Sequence, residues 1–130
     1  MSATSPISTP KLAQARARIL CADDSEEILE ICRIILEADG YQVFTAGSAA
    51  EALEFLKLHS VDAAVIDNIM PGMNGVDLAR EIKSSAPGVL VVMYSGTLRA
   101  DESFPFVDAC LPKGQGPLAL RELLGLLLQK

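Results

Sequence analysis

A chain of 130 residues, half of them apolar and 22% charged, has the size and balance of one globular domain, and no apolar run approaches a membrane span. A net charge of −6 argues against nucleic acid as a direct partner. Three cysteines without a CxxC pair (Cys21, Cys32, Cys110), and no basic start followed by an apolar core, predict reduced, buried thiols in a cytoplasmic protein without a secretory leader.

Residues 2–10 are nearly all Ser, Thr and Pro and cannot bury a core, so a flexible tail is expected over residues 1–16 and a single domain over 17–130. Lys11, Arg16 and Arg18 make this start basic, and it reads as a solvated leader. Residues 18–22 read as the first strand, which ends at Asp23-Asp24. Ser25 is placed to cap a helix with Glu26 and Glu27 in its first turn, where acids suit the helix dipole. Ile28, Ile31, Ile34 (or Ile35) and Ala38 recur at helical spacing and mark its apolar face, and Gly40 stops it. Residues 41–46 alternate and form the second strand. Ser48 and Glu51 have the spacing of a capping box. Ala52, Leu53, Phe55 and Leu56 give the second helix its apolar face, and it runs to about His59. This lone histidine lies in a polar stretch, has no second His nearby, and reads as a surface residue.

Ala63-Ala64-Val65-Ile66 is too short for a helix and suits a strand buried on both faces. It ends on Asp67, and the following Pro71-Gly72-Met73-Asn74-Gly75 is a loop of turn formers. Asp67 alone reads equally as a turn residue or helix cap and as a site carboxylate. Asn74 starts a third helix over 76–84. Residues 89–94 are a second buried strand, ending at Ser95-Gly96. Residues 98–106 allow one or two helical turns, closed by Pro105. Residues 107–111 form a short strand before Pro112-Lys113. Pro117 then opens a final helix lined by Leu120, Leu123, Leu124, Leu127 and Leu128.

Strands alternating with helices predict a parallel sheet with helices on both faces and right-handed crossovers. Five strands favour the flavodoxin-like order 2-1-3-4-5, with its switch point between strands one and three. In that topology Asp23, Asp24, Asp67, Ser95 and Lys113 gather at one sheet edge. Three carboxylates within about 5 Å repel by about 3 kcal/mol per pair at an effective dielectric near 20, so they must hold protons or a hard cation. Oxygen ligands with room for water and phosphate suit Mg²⁺, and Lys113 and Ser95 add a fixed positive charge and a hydroxyl donor. Such a set suits a carboxylate that attacks a phosphoryl group.

These features, in this order, resemble the CheY-like receiver domain of bacterial two-component response regulators over about residues 17–130. They are Asp23-Asp24, Asp67 with Met70-Pro71-Gly72 and Gly75, Ser95-Gly96, and Pro112-Lys113. The resemblance implies that Asp67 accepts a phosphoryl group from a phosphohistidine on a histidine kinase or phosphotransfer protein. It implies Mg²⁺ (or Mn²⁺) held by Asp24, Asp67 and the Ile69 carbonyl, with Asp23 acting through a metal-bound water. Lys113 would pair with a phosphoryl oxygen and Ser95 would move to bond another. Gly96 would leave space beside the phosphate, with Thr97 and Ile69 flanking the path of the attacking water. An apolar Ile69 cannot orient that water, which predicts a long-lived acyl phosphate.

Three positions depart from the family pattern. Cys110 stands where an aromatic switch residue is usual, three before the lysine. Lys113 follows Ser95 by only 18 residues, which predicts a short or irregular fourth helix. Gly114 replaces the usual proline, so a trans Lys113–Gly114 bond is expected. These departures spare the acceptor and alter the relay through Ser95 and Cys110. A phosphorylation-independent pseudo-receiver, acting as an interaction module, is the alternative. A haloacid-dehalogenase-type phosphatase would need an acid where Ile69 stands, so catalysis is expected only of the chain's own phosphorylation and dephosphorylation. Leu126 beside the leucine stripe makes a homodimer through the final helix a further expectation.

Overall fold

The structure, a computed structural model, describes residues 15–99 and 102–129. Among these, five strands pair in parallel in the order β2-β1-β3-β4-β5. They are β1 (Arg18–Ala22), β2 (Gln42–Ala46), β3 (Ala63–Ile66), β4 (Leu90–Ser95) and β5 (Ala109–Pro112). Four α-helices accompany them: α1 (Glu26–Ala38), α2 (Ala49–Leu58), α3 (Gly75–Ser85) and α4 (Pro117–Leu127). This is the flavodoxin-like order that the alternation of strands and helices predicts.

Alternation along each strand splits the core into two layers. Ile19, Cys21, Val65, Val92 and Tyr94 face α1 and α4, whereas Leu20, Ala22, Ala64, Ile66 and Val91 face α2 and α3. Tyr94 therefore lies on the face opposite Ser95, as the pleat requires. All four residues of β3 are buried, which explains its continuous apolar run.

The helix caps follow the sequence. Ser25 accepts from the Ile28 N–H at 3.3 Å, Ser48 from the Glu51 N–H at 3.1 Å, and Asn74 from the Asp77 N–H at 2.8 Å. The Glu51 carboxylate reaches back to the N–H of Gly47 at 2.7 Å, one residue before the cap itself. Gly40, at φ 96°, takes the left-handed conformation that ends α1.

The apolar face of α1 differs from the expected one. Leu29, Cys32 and Leu36 are buried, while Ile31 and Ile34 are exposed and Ile28 is half-buried. The helix carries apolar residues around much of its circumference, and contact with the sheet chooses the Leu29 row. The ends of the later strands also shift: β4 includes Ser95, and β5 starts at Ala109 and includes Pro112. Asp108 fixes that start, since its carboxylate accepts the Val91 N–H and the Lys83 ammonium, both at 2.8 Å. Lys113–Gln115 forms a 3₁₀ turn, and no cis peptide bond occurs among the described residues.

No helix forms at residues 98–99 or 102–106, the described part of the segment between β4 and β5. Glu102 Oε1 accepts the Arg99 N–H at 2.7 Å, and Arg99 O accepts the Glu102 N–H at 3.2 Å. The expected tail lies outside the described residues except for Ala15 and Arg16. Arg16 is held against the domain by Asp39 at 2.7 Å and lies over the Tyr41 ring. His59 is exposed at the end of α2, stacked on Phe55.

Candidate functional site

Ladder bonds fix the backbone of two acids. The Asp23 N–H donates to Ala46 O and the Asp67 N–H to Ala22 O, so both residues sit at strand tips on either side of the switch point. Both are buried, whereas the neighbouring Asp24 is exposed. Burial argues against a simple turn role for Asp67, and Asn74 supplies the helix cap instead.

Carboxylate oxygens of Asp23, Asp24 and Asp67 lie within 4.8 Å of one another. Lys113 enters from the 3₁₀ turn after β5, with Nζ 2.7 Å from Asp23 Oδ2 and 3.6 Å from Asp67 Oδ2. The Ser25 N–H donates to the other Asp23 oxygen at 2.9 Å, so Asp23 is held from two sides.

Burial raises the Asp23 carboxyl above its ordinary range, and the charge of Asp67 adds to this, outweighing Lys113 and the Ser25 N–H. Burial would lower the Lys113 ammonium, but the hydrogen bond and charge of Asp23, then the charge of Asp67, push it up. By count, three carboxylates and one ammonium leave the pocket with excess negative charge. A hard divalent cation on oxygen ligands is the group that relieves this, and the donor set fits one.

Gly75 shapes the acid loop. A Cβ at this position would stand 2.5 Å from the Asp67 carbonyl oxygen and 2.8 Å from Asn68 Cα, so only glycine lets α3 start against the acceptor strand. The Gly75 N–H closes the loop on Asn68 O at 2.8 Å. Gly72, at φ 91°, makes the turn between them. Ile69 is 59% exposed, while Met70 turns into the core.

The expected constellation is brought together in part. Asp23, Asp24, Asp67 and Lys113 converge. Ser95 is buried at the tip of β4, but its hydroxyl meets Thr97 Oγ1 at 3.2 Å and bonds to none of the four. Cys110 is half-buried on the edge strand β5 rather than buried, and desolvation raises its thiol above the usual range. Cys21 and Cys32 are buried as expected. Three supporting contacts escape sequence reading: the Ser25 N–H on Asp23, the Thr97 hydroxyl on Ser95, and the clearance at Gly75. Only Gly75 left a signal, as the last residue of the turn-rich loop.

The model of the response regulator receiver domain family matches residues 19–108. The chain belongs to that family. Its relatives include response regulator MprA of Mycobacterium leprae (strain TN), 33% identical over 111 residues that cover 82% of this chain and 47% of that one. MprA of Mycobacterium avium (strain 104) is 32% identical over 111 residues with the same coverage. The chain thus spans about half the length of the curated relatives it matches. A CheY-like receiver domain from Methanospirillum hungatei JF-1 superposes with a TM-score of 0.78 at 31% identity, covering 85% of this chain and 92% of that one. Response regulator TrrA of Thermotoga maritima, solved in complex with Mg²⁺ and BeF, gives 0.77 at 28% identity, covering 85% and 97%. TrrA in complex with the histidine kinase ThkA gives 0.78 at 25% identity, covering 87% and 98%. The receiver fold expected from the strand-tip motifs is therefore the fold of this family, and its setting is two-component signalling.

Proposed function

We propose that this receiver takes a phosphoryl group onto Asp67 from a phosphohistidine of a histidine kinase or phosphotransfer protein. The observation that carries the reading is the Lys113 ammonium set against two buried strand-tip carboxylates, 2.7 Å from Asp23 and 3.6 Å from Asp67. A TrrA receiver in complex with its kinase supports the partner class, and the Mg²⁺–BeF complex of TrrA supports the metal and the phosphoryl chemistry.

In the transfer, an Asp67 carboxylate oxygen bonds to phosphorus as the bond from phosphorus to the donor imidazole nitrogen breaks. Charge spreads over the three equatorial oxygens, and stabilising it is most of the catalytic work. Asp23, held by the Ser25 N–H, aims the Lys113 ammonium at those oxygens. Asp24, Asp67 and the Ile69 carbonyl are the groups that would hold Mg²⁺ (or Mn²⁺), with Asp23 at one remove. Bound there, the ion neutralises charge on the transferring oxygens. Ser95 supplies a hydroxyl donor, Gly96 leaves room beside the phosphate, and Ile69 and Thr97 border the water path.

The chain turns over no other substrate in this reading, and it acts in the cytoplasm, where its kinase carries the phosphohistidine. Cys110 lacks an aromatic ring to turn inward, so the output runs through a different relay. Leu118 and Leu126, exposed on α4, are the side chains that a homodimer through that helix would bury.

Incubation with Mg²⁺ and phosphoramidate, a small donor with a phosphorus–nitrogen bond, followed by borohydride reduction and peptide mass spectrometry, tests the assignment. Reduction at position 67 alone is expected. A modification at another carboxylate, or none, would overturn it.

A further inference from the structure

Ser95 is the group that the proposed reaction needs and that the structure does not aim at the acids. Its side chain is buried, and both its hydrogen-bond partners belong to Thr97, the hydroxyl at 3.2 Å and the N–H at 3.4 Å. Thr97 itself is exposed. Core packing does not force this contact, and water would satisfy the Thr97 hydroxyl as well. A Cβ built on the intervening Gly96 would meet nothing within 4 Å, so the turn has open space around it.

A serine hydroxyl carries one proton and must turn it, and the oxygen, toward a phosphoryl oxygen on Asp67. The hydroxyl contact with Thr97, at 3.2 Å, is already long for an O–H···O bond, and where Ser95 is its donor, the proton must leave Thr97 to reach a phosphoryl oxygen. The N–H contact, longer still, is the weaker restraint. We infer that Thr97 is a positioning residue that holds the Ser95 hydroxyl away from the acceptor until a phosphoryl group draws it off. This rests on the reading of Asp67 as acceptor and adds to it a residue that sets how readily the acceptor state forms. One hydrogen bond of this kind changes an equilibrium by about two- to tenfold.

Calorimetric titration with Mg²⁺ and beryllofluoride tests this with the intact chain, using Thr97→Val and Thr97→Ser. Thr97→Val keeps the shape and removes the hydroxyl; Thr97→Ser keeps the hydroxyl. Affinity about two- to tenfold tighter for Thr97→Val, with Thr97→Ser near wild type, is the expected result. Equal or weaker binding by Thr97→Val overturns the inference while leaving Asp67 as acceptor. A change confined to acyl-phosphate hydrolysis, with equal beryllofluoride affinity, also overturns it and assigns Thr97 to the water path. If the folded wild type binds no beryllofluoride, the acceptor reading fails first and the inference falls with it.

Discussion

At the residue scale the site rests on a few close approaches. Gly75 is the least replaceable, because its hypothetical Cβ meets backbone atoms that cannot move aside. Gly75→Ala should destabilise the domain by about 1–3 kcal/mol, the usual cost of forcing a methyl into filled space. It should also slow phosphorylation by displacing Asp67. Gly88→Ala is the control, since nothing lies within 4 Å of its Cβ. Urea unfolding of both variants checks this, and equal midpoints would show that the acid loop yields without cost. The acids and Lys113 were legible in the sequence because each closes an apolar run and the topology then leaves them one edge to share. The Ser95–Thr97 contact was not. It depends on which way a hydroxyl turns, and neither spacing nor residue type encodes that.

At the element scale α1 shows why an apolar stripe can be misread. Residues 28, 29, 31, 32, 34, 35 and 36 are all apolar, so helical spacing permits several faces. The sheet selects Leu29, Cys32 and Leu36, because β1 and β2 present Ile19, Cys21 and Val43 to that row. Leu29→Ala should cost about 2–5 kcal/mol. Ile34→Ala, at a site 54% exposed, should stay within about 0.5 kcal/mol. Denaturant midpoints at unchanged slope measure both, and a larger loss for Ile34 would restore the isoleucine face. The sequence allows a helical turn or two over residues 98–106, between β4 and β5. The described residues of this segment form no helix, and Phe106 stands at φ 67°. Few residues are available there, and Pro105 fixes the backbone against helix continuation.

At the scale of the whole molecule, the parallel sheet brings the separate ends of β1, β3 and β5 into one pocket, with the end of β4 bearing Ser95. Buried strands carry the acids, two helical layers hold the strands in register, and the pocket is left with more negative charge than Lys113 cancels. That excess ties the fold to the proposed chemistry, because a divalent cation would offset it and, with Lys113, present positive charge to an incoming phosphoryl group. The central claim is Mg²⁺-dependent phosphorylation of Asp67. Intact mass after incubation with Mg²⁺ and acetyl phosphate, beside Asp67→Asn and a metal-free sample, tests it most directly. A gain of one phosphoryl group is expected in the wild type with Mg²⁺ and none in either control. No gain under conditions that label other receivers, or an equal gain in Asp67→Asn, would contradict it.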